Sequence, residues 1–223
     1  MSGSLWLNWR LFTIGGSEWG SGIVVEAPSL ADLIDEAEVT RLMSEYGPGQ
    51  RWQLTVAMGE TSFAFWWRKV VKKANRRGEV VLAIQRPDGK VLLHTKRFYP
   101  PGLFRLPSGG VHPDESVLAA VERETREETS LAVTIDRFVG MIEYEFRHRR
   151  RRMSFVSYVC LVQADDSRPR PADSGEEITG LKYVVPTEIR RIADELRSLP
   201  QQWSDWGAFR APPHDMVADA LTK

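Results

Sequence analysis

The spacing of apolar and polar positions changes character near Arg76-Arg77-Gly78. Upstream, residues 5–14 are rich in aromatic and β-branched side chains and predict a strand, with residues 23–25 as a second. Ser29 then predicts the N-cap of a helix. Leu30, Leu33, Ile34, Val39, Leu42 and Met43 recur at helical spacing, and Gly47-Pro48-Gly49 stops the pattern. Residues 52–58 and 63–67 predict strands of a hairpin turning at Gly59-Glu60. Residues 1–76 are therefore expected to form a small α+β accessory module.

Downstream the pattern alternates more regularly. Residues 80–86 and 91–96 predict strands joined by the turn Pro87-Asp88-Gly89-Lys90. Residues 98–110 form a loop rich in Pro, Gly and aromatics, and residues 114–129 predict a helix. Residues 138–146 and 153–163 predict strands around a basic tip, Arg147-His148-Arg149-Arg150-Arg151-Arg152. After a loop at 167–175 come a short strand at 181–185 and a helix at 188–199. Strands with helices between them predict a mixed α/β domain over 77–200. Residues 201–223 are expected to dock on it as a tail through a short helix. Trp6, Trp9, Trp52, Trp66 and Trp67 are expected in the core, and some are candidates for covering the second domain's sheet or for a homodimer contact.

The chain has 223 residues and 42% hydrophobic side chains, the profile of an ordinary globular protein. Its longest apolar runs, such as residues 80–84, are five residues, far short of a membrane span. No secretory signal is visible, and the single cysteine, Cys160, excludes an internal disulfide and Cys-rich zinc sites. A cytoplasmic setting is expected. Thirty basic and thirty acidic side chains cancel, which counts against a nucleic-acid binder driven by bulk charge. The sum hides segregation. Residues 61–105 carry +9 and residues 106–135 carry −4. A site needing cations, carboxylates and phosphates could use that juxtaposition.

The acidic helix carries the chemistry. Val117, Leu118, Val121 and Thr125 fall on one arc and predict its core stripe. Glu124 and Glu128 stack at i,i+4, with Glu127 close by, and like charges so placed repel. Glu128 falls near the apolar stripe, where an unpaired carboxylate is costly. Oxygen ligands alone select a hard ion, Mg²⁺ or Mn²⁺. Arg123 can pair with Glu127 at i,i+4. A solvated charged helix face would show the same spacing.

Residues 109–131 resemble the Nudix hydrolase signature: Gly, five residues, Glu, seven residues, then Arg-Glu-aliphatic-x-Glu-Glu-x-Gly-aliphatic. Gly109, Glu115, Arg123, Glu124, Glu127, Glu128 and Leu131 occupy their positions, while Thr125 and Ser130 depart from the pattern. Thr125 is nearly isosteric with Val but its hydroxyl needs a partner. Ser130 must cover the helix C-terminus, where glycine takes positive φ more easily, at a cost of about 1 kcal/mol.

The resemblance covers residues 78–200 and implies a Nudix-type α/β/α sandwich that hydrolyses a pyrophosphate bond in a nucleoside diphosphate derivative. It further implies Mg²⁺, with Mn²⁺ substituting, on Glu124, Glu127 and Glu128, with the Gly109 carbonyl as a further ligand and Glu115 in the outer shell or on a second metal. Arg123 would orient Glu127. The general base is a box glutamate or a later one, with Glu177 the first candidate and Glu176 the next. Arg97 and Arg105 are candidates to bind phosphates, and Tyr99 and Phe104 to stack on a base; packed or solvated roles are equally open to them. Two other functions stay in view: a non-catalytic nucleotide-binding module, and an RNA-interacting protein using residues 147–152. The first has no need of intact glutamates, and the second lacks a recognisable RNA-binding motif.

Overall fold

A computed structural model describes residues 26–172 and 174–222; the strands expected at 5–14 and 23–25 lie outside them. The fold is mixed α/β. A seven-stranded sheet runs in the order β1-β5-β6-β2-β3-β7, with β4 pairing on β2. The strands are β1 (Gln50–Ala57), β2 (Gly78–Gln85), β3 (Val91–Lys96), β4 (Ser108–Val111), β5 (Val133–His148), β6 (Arg151–Ala164) and β7 (Ile178–Val184). β2 lies against β6 in parallel and against β4 in antiparallel register. It is buried on both faces, which explains why residues 80–84 show no alternation.

The segment before β2 joins this sheet. β1 pairs in parallel with β5. Its close approach depends on Gly140, where a Cβ would fall 2.2 Å from the Gln50 carbonyl oxygen. The helix expected from Ser29 is two helices, α1 (Leu30–Leu33) and α2 (Glu36–Tyr46). Ser29 caps the first through a box with Asp32. Ile34 is extended, and Asp35 opens the second by accepting from the amides of Ala37 and Glu38.

The strand expected at 63–67 is instead a helix, α3 (Glu60–Trp67), continued by a π-helical turn at Arg68–Lys72. The apolar run there fits either period. Burial decides, because Phe63, Trp66 and Val70 form an i, i+3, i+7 stripe. Trp66 packs within 4.7–6.1 Å of the rings of Phe146, Phe155 and Phe209.

The box helix is α4 (Val117–Thr129), capped by the Ser116 hydroxyl. Ser130 takes the left-handed conformation at its end, with φ of 56°. The Thr125 hydroxyl donates to the Val121 carbonyl at 2.7 Å. Both departures from the motif are thus absorbed locally. The basic tip is tighter than expected, since Arg147 pairs with Arg152 and His148 with Arg151 in the β5–β6 ladder. Only Arg149 and Arg150 turn.

The chain closes with α5 (Glu188–Arg197) and α6 (Ser204–Leu221). The tail is therefore an 18-residue helix rather than a short one, and it runs through Pro212-Pro213. Pro213 has no N–H to offer the Phe209 carbonyl; the Tyr144 hydroxyl donates to it instead at 3.2 Å. Among the described residues no helix is long and apolar enough to cross a membrane.

Candidate active site

The site sits where β4 turns into the loop before α4. Arg123 is its hub. Its guanidinium donates to Glu115 at 2.7 and 2.8 Å, to Glu124 at 2.7 Å, to Glu127 at 3.1 Å and to the Gly110 carbonyl at 2.7 Å. These bonds hold the Glu115 carboxyl below its ordinary range. Glu124 goes the other way, pushed up by burial despite Arg123.

Glu128, one turn after Glu124 on the same side of the helix, meets β3. It is fully buried, with Lys96 Nζ 2.8 Å from Oε1 and His94 Nδ1 3.5 Å from Oε2. Lys96 is the counter-charge of Oε1, and Oε2 has no hydrogen-bond partner among the described residues. Burial raises this carboxyl to about 7, with Lys96 opposing.

The convergence of three free carboxylates expected from helix spacing is therefore not what the structure shows. Among the described residues no three His, Cys, Asp or Glu side chains are grouped ready to hold a metal. Arg123 draws Glu124 and Glu127 to itself, and Lys96 takes Glu128. Two observations still fit a hard cation. Glu128 Oε2 is buried without a hydrogen bond. At Gly109 a Cβ would fall 1.6 Å from the Glu124 carboxyl carbon, so only glycine lets the main chain lie against that carboxylate.

The other expected site residues divide. Glu177 is half exposed, has φ of 53° and faces Arg97 at 3.9 Å. Glu176, its neighbour, is the loop carboxylate that reaches the box. It bonds Lys96 at 2.5 Å and lies close enough to raise Glu124 further. The Arg97 side chain is exposed. Phe104 is half buried under Lys182, whose Nζ is 4.4 Å from the ring centre. Arg105 is only 4% exposed. It bonds the Tyr99 hydroxyl, the Leu106 carbonyl at 2.7 Å and Ser108 Oγ at 3.0 Å. Tyr99 is buried beside it. His214 is buried too, accepting from the Leu106 amide at 3.0 Å through Nε2.

Residues outside the box also hold it. Glu38 accepts from the Val117 amide, the first of α4, and from Arg77, both at 2.6 Å. Arg77 donates to the Glu115 carbonyl at 2.9 Å. Sequence spacing gives no sign of Glu38. His94 and Lys96 did leave a signal, since an i, i+2 pair on a strand shares one face.

The family model described as NUDIX domain matches residues 74–206. The NAD-capped RNA hydrolase of Homo sapiens is 38% identical over 145 residues, 65% of this chain and 28% of that protein. The chain thus spans little more than a quarter of that relative. The CTP pyrophosphohydrolase of Escherichia coli (strain K12) is 38% identical over 73 residues, 32% of this chain and 54% of that one. Among solved structures, an Ap4A hydrolase from C. elegans is 23% identical with a TM-score of 0.39, covering 59% of this chain and 96% of its own.

Proposed function

The chain belongs to the Nudix family, and on that premise we propose that it hydrolyses the pyrophosphate bond of a nucleoside diphosphate derivative with a divalent cation. The observation that carries this reading is the buried Glu128 carboxylate, whose Oε2 has no hydrogen-bond partner, beside the Gly109–Glu124 contact. Glu124, Glu127, Glu128 and the Gly109 carbonyl would hold Mg²⁺, or Mn²⁺ in its place. When bound, the cation would neutralise phosphate charge and acidify water.

The chain's own residues supply the rest. Glu115 clamps Arg123, and Arg123 fixes Glu124 and Glu127. Phosphoryl transfer depends on such positioning more than on covalent chemistry. Water's oxygen bonds to one phosphorus, the bridging oxygen leaves with the other phosphate, and the water's proton passes to a nearby carboxylate. Glu176 suits that task better than Glu177, because it lies against Lys96 within reach of the box.

The test is a panel of ADP-ribose, NDP-sugars, dinucleoside polyphosphates, NADH, CTP and other nucleotides with Mg²⁺ or Mn²⁺, read by product release. Turnover that needs the metal is expected, and Glu127→Gln should abolish it. Retained activity in that variant refutes the ligand assignment. Tight binding without turnover of any compound would favour a non-catalytic module.

A further inference from the structure

His94 is fully buried on β3, outside the box and beside Glu128. Strand geometry puts it there. Lys96, two residues on, shares its face, and both side chains meet Glu128. The backbones of His94 and Arg105 exchange hydrogen bonds at 2.9 and 3.0 Å across an isolated bridge, so the Arg105 side chain lies on that face too.

Two atoms of this group lack a partner. His94 Nδ1 and Glu128 Oε2 are both buried without a hydrogen bond among the described residues, and they face each other at 3.5 Å. That separation is just beyond an ordinary N–H···O bond. Unpaired buried polar atoms are costly, and an ionised carboxylate can only accept. The pairing therefore depends on whether Nδ1 carries a hydrogen.

The neighbours of His94 decide this. Arginine only donates, so the Tyr99 hydroxyl oxygen accepts from Arg105. The hydroxyl's own hydrogen then goes to His94 Nε2, 3.3 Å away. Burial, with the charges of Arg105, Lys96 and Arg210, holds His94 well below its ordinary range, so the ring is neutral and has a single N–H. With Nε2 accepting, that N–H is on Nδ1 and faces Glu128 Oε2. The other tautomer would take from the Tyr99 hydrogen the acceptor it has here and turn a lone pair toward a carboxylate.

We propose that His94 is a positioning residue whose Nδ1–H, set by Arg105 through Tyr99, fixes the orientation of the Glu128 carboxylate. An ionised carboxylate has about four acceptor sites, so one donor orients Glu128 and leaves the rest open. Donors behind a metal ligand act in this way. The role toward a cation rests on Glu128 as a ligand; the row of donors from Arg105 to Glu128 does not.

The test begins with the full chain in EDTA at pH 8, above the value of about 7 to which Glu128 is raised. Nitrogen-15 spectra of the imidazole rings, with His94 assigned from the signals that change in its variants or in Tyr99→Phe, should show Nδ1 protonated and Nε2 bare. A bare Nδ1 overturns the proposal. Mn²⁺ affinity by calorimetry then separates positioning from packing. His94→Leu should lower it about 10–100-fold. His94→Asn brings an amide N–H near the place of Nδ1 and should recover most of that loss. Leu suits a buried site better than Asn, whose amide loses partners there, so thermal unfolding should rank the two variants in the opposite order. Leu binding Mn²⁺ as tightly as Asn overturns the proposal. If neither variant folds, the nearly isosteric Tyr99→Phe decides: part of the ring population should move to the Nε2–H tautomer and Mn²⁺ affinity should fall, and no change in either overturns the proposal as well. Wild-type protein with Nδ1–H that binds no Mn²⁺ defeats the ligand reading of Glu128 alone. Mn²⁺ binding with a bare Nδ1 defeats the role of His94 alone.

Discussion

Glu38 lies 79 residues before the amide it caps, and its loss tests whether the N-terminal segment holds the box. Glu38→Ala removes two charge-assisted hydrogen bonds, to the Val117 amide and to Arg77. Each such bond contributes about 1.5–3 kcal/mol. The partners are little exposed, 13% for the Arg77 side chain and 9% for Glu38, so solvent screens the pair weakly. Arg77 keeps its bonds to the Glu115 carbonyl, which offsets part of the loss. A net cost of about 3 kcal/mol follows, toward the low end for breaking a buried pair. For a chain of this size that lowers Tm by roughly 6–12 °C. Glu38→Gln keeps a neutral acceptor for Val117 and should cost about half. Thermal and urea unfolding of Glu38→Ala, Arg77→Met and the double variant measure the coupling, expected at about 1–3 kcal/mol. A loss below about 0.5 kcal/mol, the level of an ordinary surface change, or strict additivity of the two single variants, would refute the reasoning.

Gly109→Ala places a methyl group where the Glu124 carboxyl now lies. Mn²⁺ affinity by calorimetry should fall about 10–100-fold with the circular dichroism spectrum retained; unchanged affinity would separate Gly109 from the cation. In cation-free protein Glu128 titrates near 7, against 4.5 unfolded. Its contribution to stability is whole below pH 4.5 and is lost as pH rises to about 7, a fall of order 3 kcal/mol. Glu128→Gln should remove that fall from urea midpoints between pH 4.5 and 8, and an identical slope in both proteins would contradict it. His214 has the opposite sign, since burial lowers it from 6.5 to about 3. Stability present above pH 6.5 should be lost as pH falls toward 3, and His214→Gln should flatten that limb of the curve.

What was legible in the sequence was what is local. The box spacing, the Ser29 cap, the Pro87–Lys90 turn and the positive φ at Ser130 all depend on a few consecutive residues. Phe63 to Trp67 misled because a short unbroken apolar run fits a strand or a helix, and the choice fell to an aromatic cluster contributed by β5, β6 and α6. For Arg105 the sequence left a phosphate ligand and a packed side chain equally open; its bridge to His94 sets it in the sheet's edge, where the side chain is buried. The glutamates show the same limit at the site itself. Helix geometry correctly put Glu124 and Glu128 near one another but said nothing of the cations that would meet them. One of those, Arg123, is on the helix. The other, Lys96, comes from β3, in the +9 segment that precedes the −4 segment holding the box. At the site itself the charges do not cancel: Arg123 meets Glu115, Glu124 and Glu127, and Lys96 meets Glu128 and Glu176, two cations against five carboxylates. A divalent cation entering the site must compete with both.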